Sequence, residues 1–292
     1  MDVLEWLWDT ITEPILLNLG LVTHQSTTAY SEWPKVWWCP TGLLSYLPLH
    51  ASGYHRHAQE VSGKSVMDRV VSAYTPTMRA FKQARNKFNS DHLTKSPKIL
   101  IVAKEFTPGY ARLRMARDEA YCIERTILDQ GVFLEKDVEV EETPTVDEVC
   151  RRLRETAIVH FACHAYILAD VSDNGIILDA KLSTEAVSRT RVPSGALAYL
   201  SACNTALSKA SHLLDECITL CSAFQVAGFT KVVGTLWKSE DRASFEVAKK
   251  YYEAMDSNTS TAQTSLHEAI LSQRAQYGSQ PSLWAGYIYS GS

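Results

Sequence analysis

From Lys98 onward the chain repeats short, nearly unbroken apolar runs: "KILIVA" at 98–103, "AIVHFA" at 157–162, "ALAYLS" at 196–201 and "KVVGTLW" at 231–237. Each has the length of a strand, and none alternates polar with apolar residues. A strand with one wet face must alternate, so these runs predict strands covered on both faces, as in a parallel sheet between helical layers. Between and after them lie "ARDEAYCIERTILDQG", "TVDEVCRRLRET", "DECITLCSAFQVAG" and "DRASFEVAKKYYEAM", each with apolar residues at helical period. Gly131 and Gly228 close two of these as helix stops. Strand, helix, strand, joined by right-handed crossovers, predicts an α/β fold with a doubly wound, mainly parallel sheet flanked by helices.

The residues before Lys98 are less regular. Leu4, Leu7, Trp8, Ile11 and Ile15 recur at helical spacing and stop at Gly20, which predicts one amphipathic helix whose aromatic face docks onto something. "KVWWCPTGLLSYLPLHASG" starts like a strand and carries more apolar surface than a linker needs. The expected organisation is one domain over 1–292, with a helical and β accessory portion over 1–97, the regular α/β portion over 98–292, and an exposed connection from Arg79 to Pro97.

Charge and cysteine usage exclude several function classes. With 29 Lys and Arg against 33 Asp and Glu, the net charge is −4, and no long basic block occurs, so nucleic acid is not the expected partner. No run of eighteen apolar residues exists, and Asp2, Glu5, Asp9 and Glu13 stand where a signal peptide would carry Lys or Arg. A cytoplasmic protein with no membrane span is expected. The 7 cysteines form no CxxC pair and no zinc motif, so free thiols, no metal and no cofactor are expected. Cys217 and Cys221 share a helix face, yet nothing completes a metal site around them; His50 and His55 could be read as ligands.

Chemistry is suggested where two of the runs end. "VHFACHAYI" places His164, and "AYLSACNTA" places Cys203, just past the carboxyl ends of strands expected to be neighbours. That rim is where open α/β sheets hold their ligands. A thiol has a pKa of about 8.5 and becomes a nucleophile when a nearby imidazole takes its proton. Cys163 and His160 read as core residues beside this pair.

"HFACHA", "LSACNTA", "AFQVAGFTKVVGTLW", "PTGLLSYLPLHASG", "SAYTPTMRA" and the closing "LHEAI…PSLWAGYIYSG" together resemble the CHAT domain, a group of caspase-like cysteine peptidases related to separase. The similarity runs over nearly the whole chain and is closest to fungal versions, which end longer proteins with tetratricopeptide or nucleotide-binding regions. It implies a caspase-like catalytic portion over 98–292, with His164 as general base, Cys203 as nucleophile, and the backbone N–H groups of Ala165 and Cys203 facing the oxyanion. The family usually has Gly where this chain has Ala165, a methyl where substrate backbone passes. In separases the stretch matching "GTLWKSEDRAS" carries an aspartate that receives a basic side chain, which implies a substrate-binding role for Asp241. Asp241 also stands where the following helix would take its N-cap. The resemblance therefore implies limited cutting of a protein partner after a basic residue, in programmed cell death or immunity, with a pore-forming executioner protein as substrate and an upstream region as regulator. The other reading is a catalytically weak interaction or signalling module, which Ala165 favours.

Overall fold

The computed structural model describes residues 2–23, 29–55, 63–79, 81–82, 85, 97–166, 174–201, 216–255 and 261–291. The chain opens with α1 (Val3–Leu7), started by the Asp2 side chain, which accepts the Leu4 N–H at 3.1 Å. A π-helical turn, Trp8–Thr12, comes next, and then α2 (Glu13–Asn18). Pro14 has no N–H to donate back to Thr10, which opens the turn at this point. The wider turn rotates α2 about its axis, so Leu16 is buried and Ile15 exposed. The helix expected here runs unbroken over residues 3–18, and only the placing of Ile15 on its buried face is corrected. Trp8 is buried and Trp6 exposed, and Gly20, at φ +73°, turns the chain away.

The remaining elements are β1 (Lys35–Trp38), β2 (Val71–Tyr74), β3 (Lys98–Ala103), α3 (Ala116–Asp129), β4 (Val138–Glu141), α4 (Val146–Leu153), β5 (Thr156–Ala162), β6 (Ala165–Tyr166), β7 (Gly175–Ile177), β8 (Lys181–Ser183), α5 (Thr184–Arg189), β9 (Leu197–Leu200), α6 (Glu216–Ala227), β10 (Lys231–Thr235), α7 (Asp241–Ala254), α8 (Ala262–Tyr277) and β11 (Tyr287–Gly291). Eight strands form one sheet in the order β1-β2-β11-β10-β9-β5-β3-β4. Its pairings are parallel except β10 with β11. This is the mainly parallel, helix-flanked α/β sheet that the apolar runs predict. β6, β7 and β8 form a separate three-stranded antiparallel sheet.

Side chains alternate between two cores. Leu100, Val102, Val159, Phe161, Ala198 and Leu200 face one core with Phe224 of α6. Ile99, Ile101, Ile158, Leu197 and Tyr199 face the other, with Ile123 of α3 and Tyr251 of α7. Both faces are covered, so alternation survives in the packing while the sequence reads as continuous apolar runs. His160 lies on the second of these faces, fully buried. β1 and β2 extend the sheet past β11, so the residues before Lys98 and after it share one sheet.

Candidate active site

β5 stays paired to its end: Lys104 N–H donates to the Ala162 carbonyl at 2.9 Å and Ser201 N–H to Phe161 at 3.0 Å. The chain then leaves the sheet through Cys163, packed in the core, and His164, only 3% exposed. His164 Nε2 lies 2.7 Å from the Ala111 carbonyl oxygen. A carbonyl only accepts, so Nε2 carries the hydrogen, and in the neutral ring Nδ1 is the nitrogen with the lone pair. The Tyr110 ring lies against the imidazole, centroids 5.0 Å apart and planes tilted by 33°.

Tyr110 and Ala111 belong to the connection from β3 to α3, which closes on itself. Leu113 N–H donates to Glu105 at 2.9 Å, Tyr110 N–H to Thr107 at 3.1 Å, and Arg112 pairs with Glu105 at 2.6 Å. Where this connection meets α3, Met115 N–H donates to Asp241 Oδ2 at 2.9 Å. Asp241 is the first residue of α7, and Glu240, at the cap position, makes no side-chain bond. The alternative in which Asp241 caps its own helix is therefore corrected: its carboxylate caps the neighbouring helix α3. Burial pushes the Asp241 carboxyl up from its ordinary pKa; the Met115 N–H opposes that shift and the Glu119 charge adds to it.

His164, Asp241, Glu119, Ser201, Lys238 and Ser239 line one pocket at the carboxyl ends of β5, β9 and β10. β5 and β9 are parallel neighbours, Phe161 opposite Leu200, as the sequence predicts. Cys203 and its N–H lie outside the described residues. Ala165 begins β6, opposite Ile176 of β7. Among the described residues no group of three or more His, Cys, Asp or Glu could hold a metal ion. His50 bonds Tyr74 at 2.8 Å and His55 bonds the Ala51 carbonyl at 2.8 Å; neither lines this pocket.

Glu119 was not legible as a site residue in the sequence. It lies in α3, 2% exposed, with Oε1 2.8 Å from His160 Nε2. The Tyr252 hydroxyl lies 3.3 Å from His160 Nδ1, and the Tyr199 ring stacks on the imidazole at 4.8 Å. The one signal in the sequence is its position: Ala116, Ala120, Ile123 and Ile127 form the buried stripe of α3, and Glu119 falls inside that stripe.

Several solved structures share this fold. The Saccharomyces cerevisiae separase–securin complex matches at 13% identity and TM-score 0.56, over 84% of this chain and 14% of that one. The Arg-specific cysteine proteinase gingipain R (RgpB) matches at 10% identity and TM-score 0.55, over 82% of this chain and 58% of that one. The complex of Porphyromonas gingivalis RgpB pro- and mature domains matches at 9% identity and TM-score 0.61, over 99% of this chain and 71% of that one. The chain thus spans a small part of separase and little more than half of gingipain R, and at these identities the likeness is one of fold, that of caspase-like cysteine peptidases. No curated protein sequence matches. The family model for the CHAT domain matches residues 1–292, and the chain belongs to the CHAT domain family.

Proposed function

We propose that this chain is a cysteine endopeptidase of the caspase and separase type that makes limited cuts in a protein partner. The observation that carries the reading is the His164–Ala111 hydrogen bond, which leaves Nδ1 as the basic nitrogen at the rim shared by β5 and β9. In the proposed reaction the Cys203 thiol gives its proton to Nδ1, and the thiolate attacks the substrate carbonyl. The oxyanion accepts hydrogen bonds from the N–H groups of Ala165 and Cys203. The imidazolium then protonates the departing amine, and water hydrolyses the thioester.

The pairing of β6 with β7 supports the Ala165 role. Ile177 N–H donates to the His164 carbonyl at 2.8 Å, which makes that pair a hydrogen-bonded one. Bonded and non-bonded pairs alternate along an antiparallel ladder, so the next pair, Ala165 with Ile176, is non-bonded and the Ala165 N–H points away from β7.

The acidic lining supports cleavage after Arg or Lys, with Asp241 meeting the basic side chain, and gingipain R is itself Arg-specific. A charge-assisted pair of roughly 1.5–3 kcal/mol would give about ten- to a hundredfold preference. By resemblance to CHAT peptidases, the proposal extends to a cytoplasmic enzyme of programmed cell death or immunity, acting on a pore-forming executioner protein under control of an upstream region.

A second reading, an interaction or signalling module without useful turnover, draws on the near-complete burial of His164 against Tyr110. The two separate by labelling and cutting. The peptidase reading expects Cys203→Ala and His164→Ala each to abolish cleavage of an Arg/Lys peptide library while circular dichroism stays unchanged. It also expects labelling by a thiol-reactive peptide to vanish in Cys203→Ala. Cleavage by Cys203→Ala at the unsubstituted rate would overturn it.

A further inference from the structure

We propose that Glu119 is a specificity-determining residue of this pocket, holding a guanidinium group at its floor and so favouring Arg over Lys. Only the identification of that group as a substrate side chain rests on the peptidase reading. The preference for a guanidinium rests on the pocket itself.

The hydrogen bonds around His160 engage one oxygen of Glu119. Tyr252 can donate its hydroxyl hydrogen to Nδ1, which leaves Nε2 as the N–H that donates to Glu119 Oε1. A carboxylate suits this chain of bonds, because it accepts without having to donate. Tyr199 stacked on the imidazole and the surrounding core keep the ring in this orientation. One oxygen of Glu119 is thus taken, and the other has no hydrogen-bond partner among the described residues. Glu119 lines the pocket, so its second oxygen is left for what enters there, and a cation with several N–H groups can donate to it.

Asp241 is differently placed. Its Oδ2 already accepts the Met115 N–H at the start of α3, and burial disfavours its charge. Its role as a cap limits what it can offer a ligand. A guanidinium presents five donors in a planar fork and can meet two carboxylates at once, whereas an ammonium acts as a compact point charge. A pocket lined by Glu119 together with Asp241 therefore distinguishes the two cations. Lys238 also lines the pocket but is exposed, as a rim residue would be, and it makes no ion pair among the described residues.

The test is binding, measured without turnover. The Cys203→Ala chain is titrated calorimetrically with n-butylguanidinium, n-butylammonium and butyrate. The expected result is that n-butylguanidinium binds most tightly and that adding Glu119→Gln weakens it by at least about tenfold. Adding Asp241→Asn is expected to weaken it by less. The amide introduced by Glu119→Gln keeps an oxygen for the His160 N–H, and thermal melting checks the fold. A second readout needs no change at Glu119: the His160 Nε2–H proton resonance should shift as n-butylguanidinium saturates the pocket, because Oε1 becomes a weaker acceptor. No binding of n-butylguanidinium, tighter binding of butyrate, binding indifferent to Glu119→Gln, or a His160 proton that does not move would each overturn the inference. Absence of peptide cleavage would overturn the peptidase reading and leave these binding results standing.

Discussion

The resemblance to the CHAT domain leads one to expect Gly at position 165, and the backbone of Ala165 bears on whether that difference matters. No described non-glycine residue has positive φ, and Ala165 lies in a strand, so its methyl meets no backbone strain here. Gly at this position would gain no needed conformation and would lose strand entropy, at a cost of roughly 0.5–1 kcal/mol. Ala165→Gly should therefore lower unfolding free energy by about that amount and leave kcat/KM within about twofold, read by urea unfolding and peptide kinetics. A rise in kcat/KM beyond about tenfold would show that the methyl obstructs substrate. His164 illustrates a limit on reading a site from sequence. "HFACHA" points to the imidazole because a histidine at a strand end is conspicuous, whereas Ala111 contributes only a carbonyl, which every residue possesses. No residue pattern could nominate it. Glu119 escaped for a related reason, since one acid in a helix rich in acids looks solvated until its partner across the core is seen.

At the scale of elements, Asp241 links two helices, and the link can be weighed. Its carboxylate accepts an N–H at the start of α3, a position where loss of the capping group costs about 0.5–2 kcal/mol. Asp241→Ala should destabilise the chain by about 1 kcal/mol, while Asp241→Asn keeps an acceptor and should change stability little. Equal stability of all three proteins in urea unfolding would show that the Asp241–Met115 bond carries no weight. The strands that position the site were legible for a physical reason: all seven residues of β5 and all four of β9 are buried, so they admit no polar interruption beyond His160 and a first threonine. The helix at the start of the chain was legible as a helix, but its buried face only up to the π-helical turn. One altered turn exchanges Ile15 for Leu16 on the buried face, and periodicity cannot anticipate such a turn. The joining of β1 and β2 to β11 was equally hidden, because it pairs Tyr74 with Ser290 across most of the chain's length.

Three buried histidines lie beside that long-range joining. Trp37 donates its ring N–H to Gly291 at 2.9 Å, and Arg274 of α8 pairs with Asp68 at 2.7 Å. Between these contacts His50 and His267 line one small cavity with Tyr74, and His55 packs edge-on against Trp284 at 4.8 Å. Burial lowers His50 and His267 to about 3; at His267, Arg274 and His50 itself add to the effect while Asp68 opposes it. Burial likewise lowers His55 to about 4, opposed by the Ala51 carbonyl, Asp68 and Asp2 and assisted by Arg274. All three therefore stay neutral in the fold and take up a proton near the ordinary value of 6.5 once unfolded. Their stabilising contribution is fully present above about pH 6.5 and is lost as pH falls from there toward 3–4, because acid favours the state that binds more protons. Between pH 7 and 5.5 each should lower the unfolding free energy by about 1.3 kcal/mol, or about 4 kcal/mol together. That is a large share of the roughly 5–15 kcal/mol typical of folded domains. The interval lies above the range where most carboxylates titrate, so their protonation does not mask it. Urea unfolding at the two pH values measures the drop directly, and His267→Gln should reduce it by about a third. A chain equally stable at pH 7 and 5.5 would mean that these histidines are already protonated in the fold and that the join between the first and last strands does not depend on their neutrality.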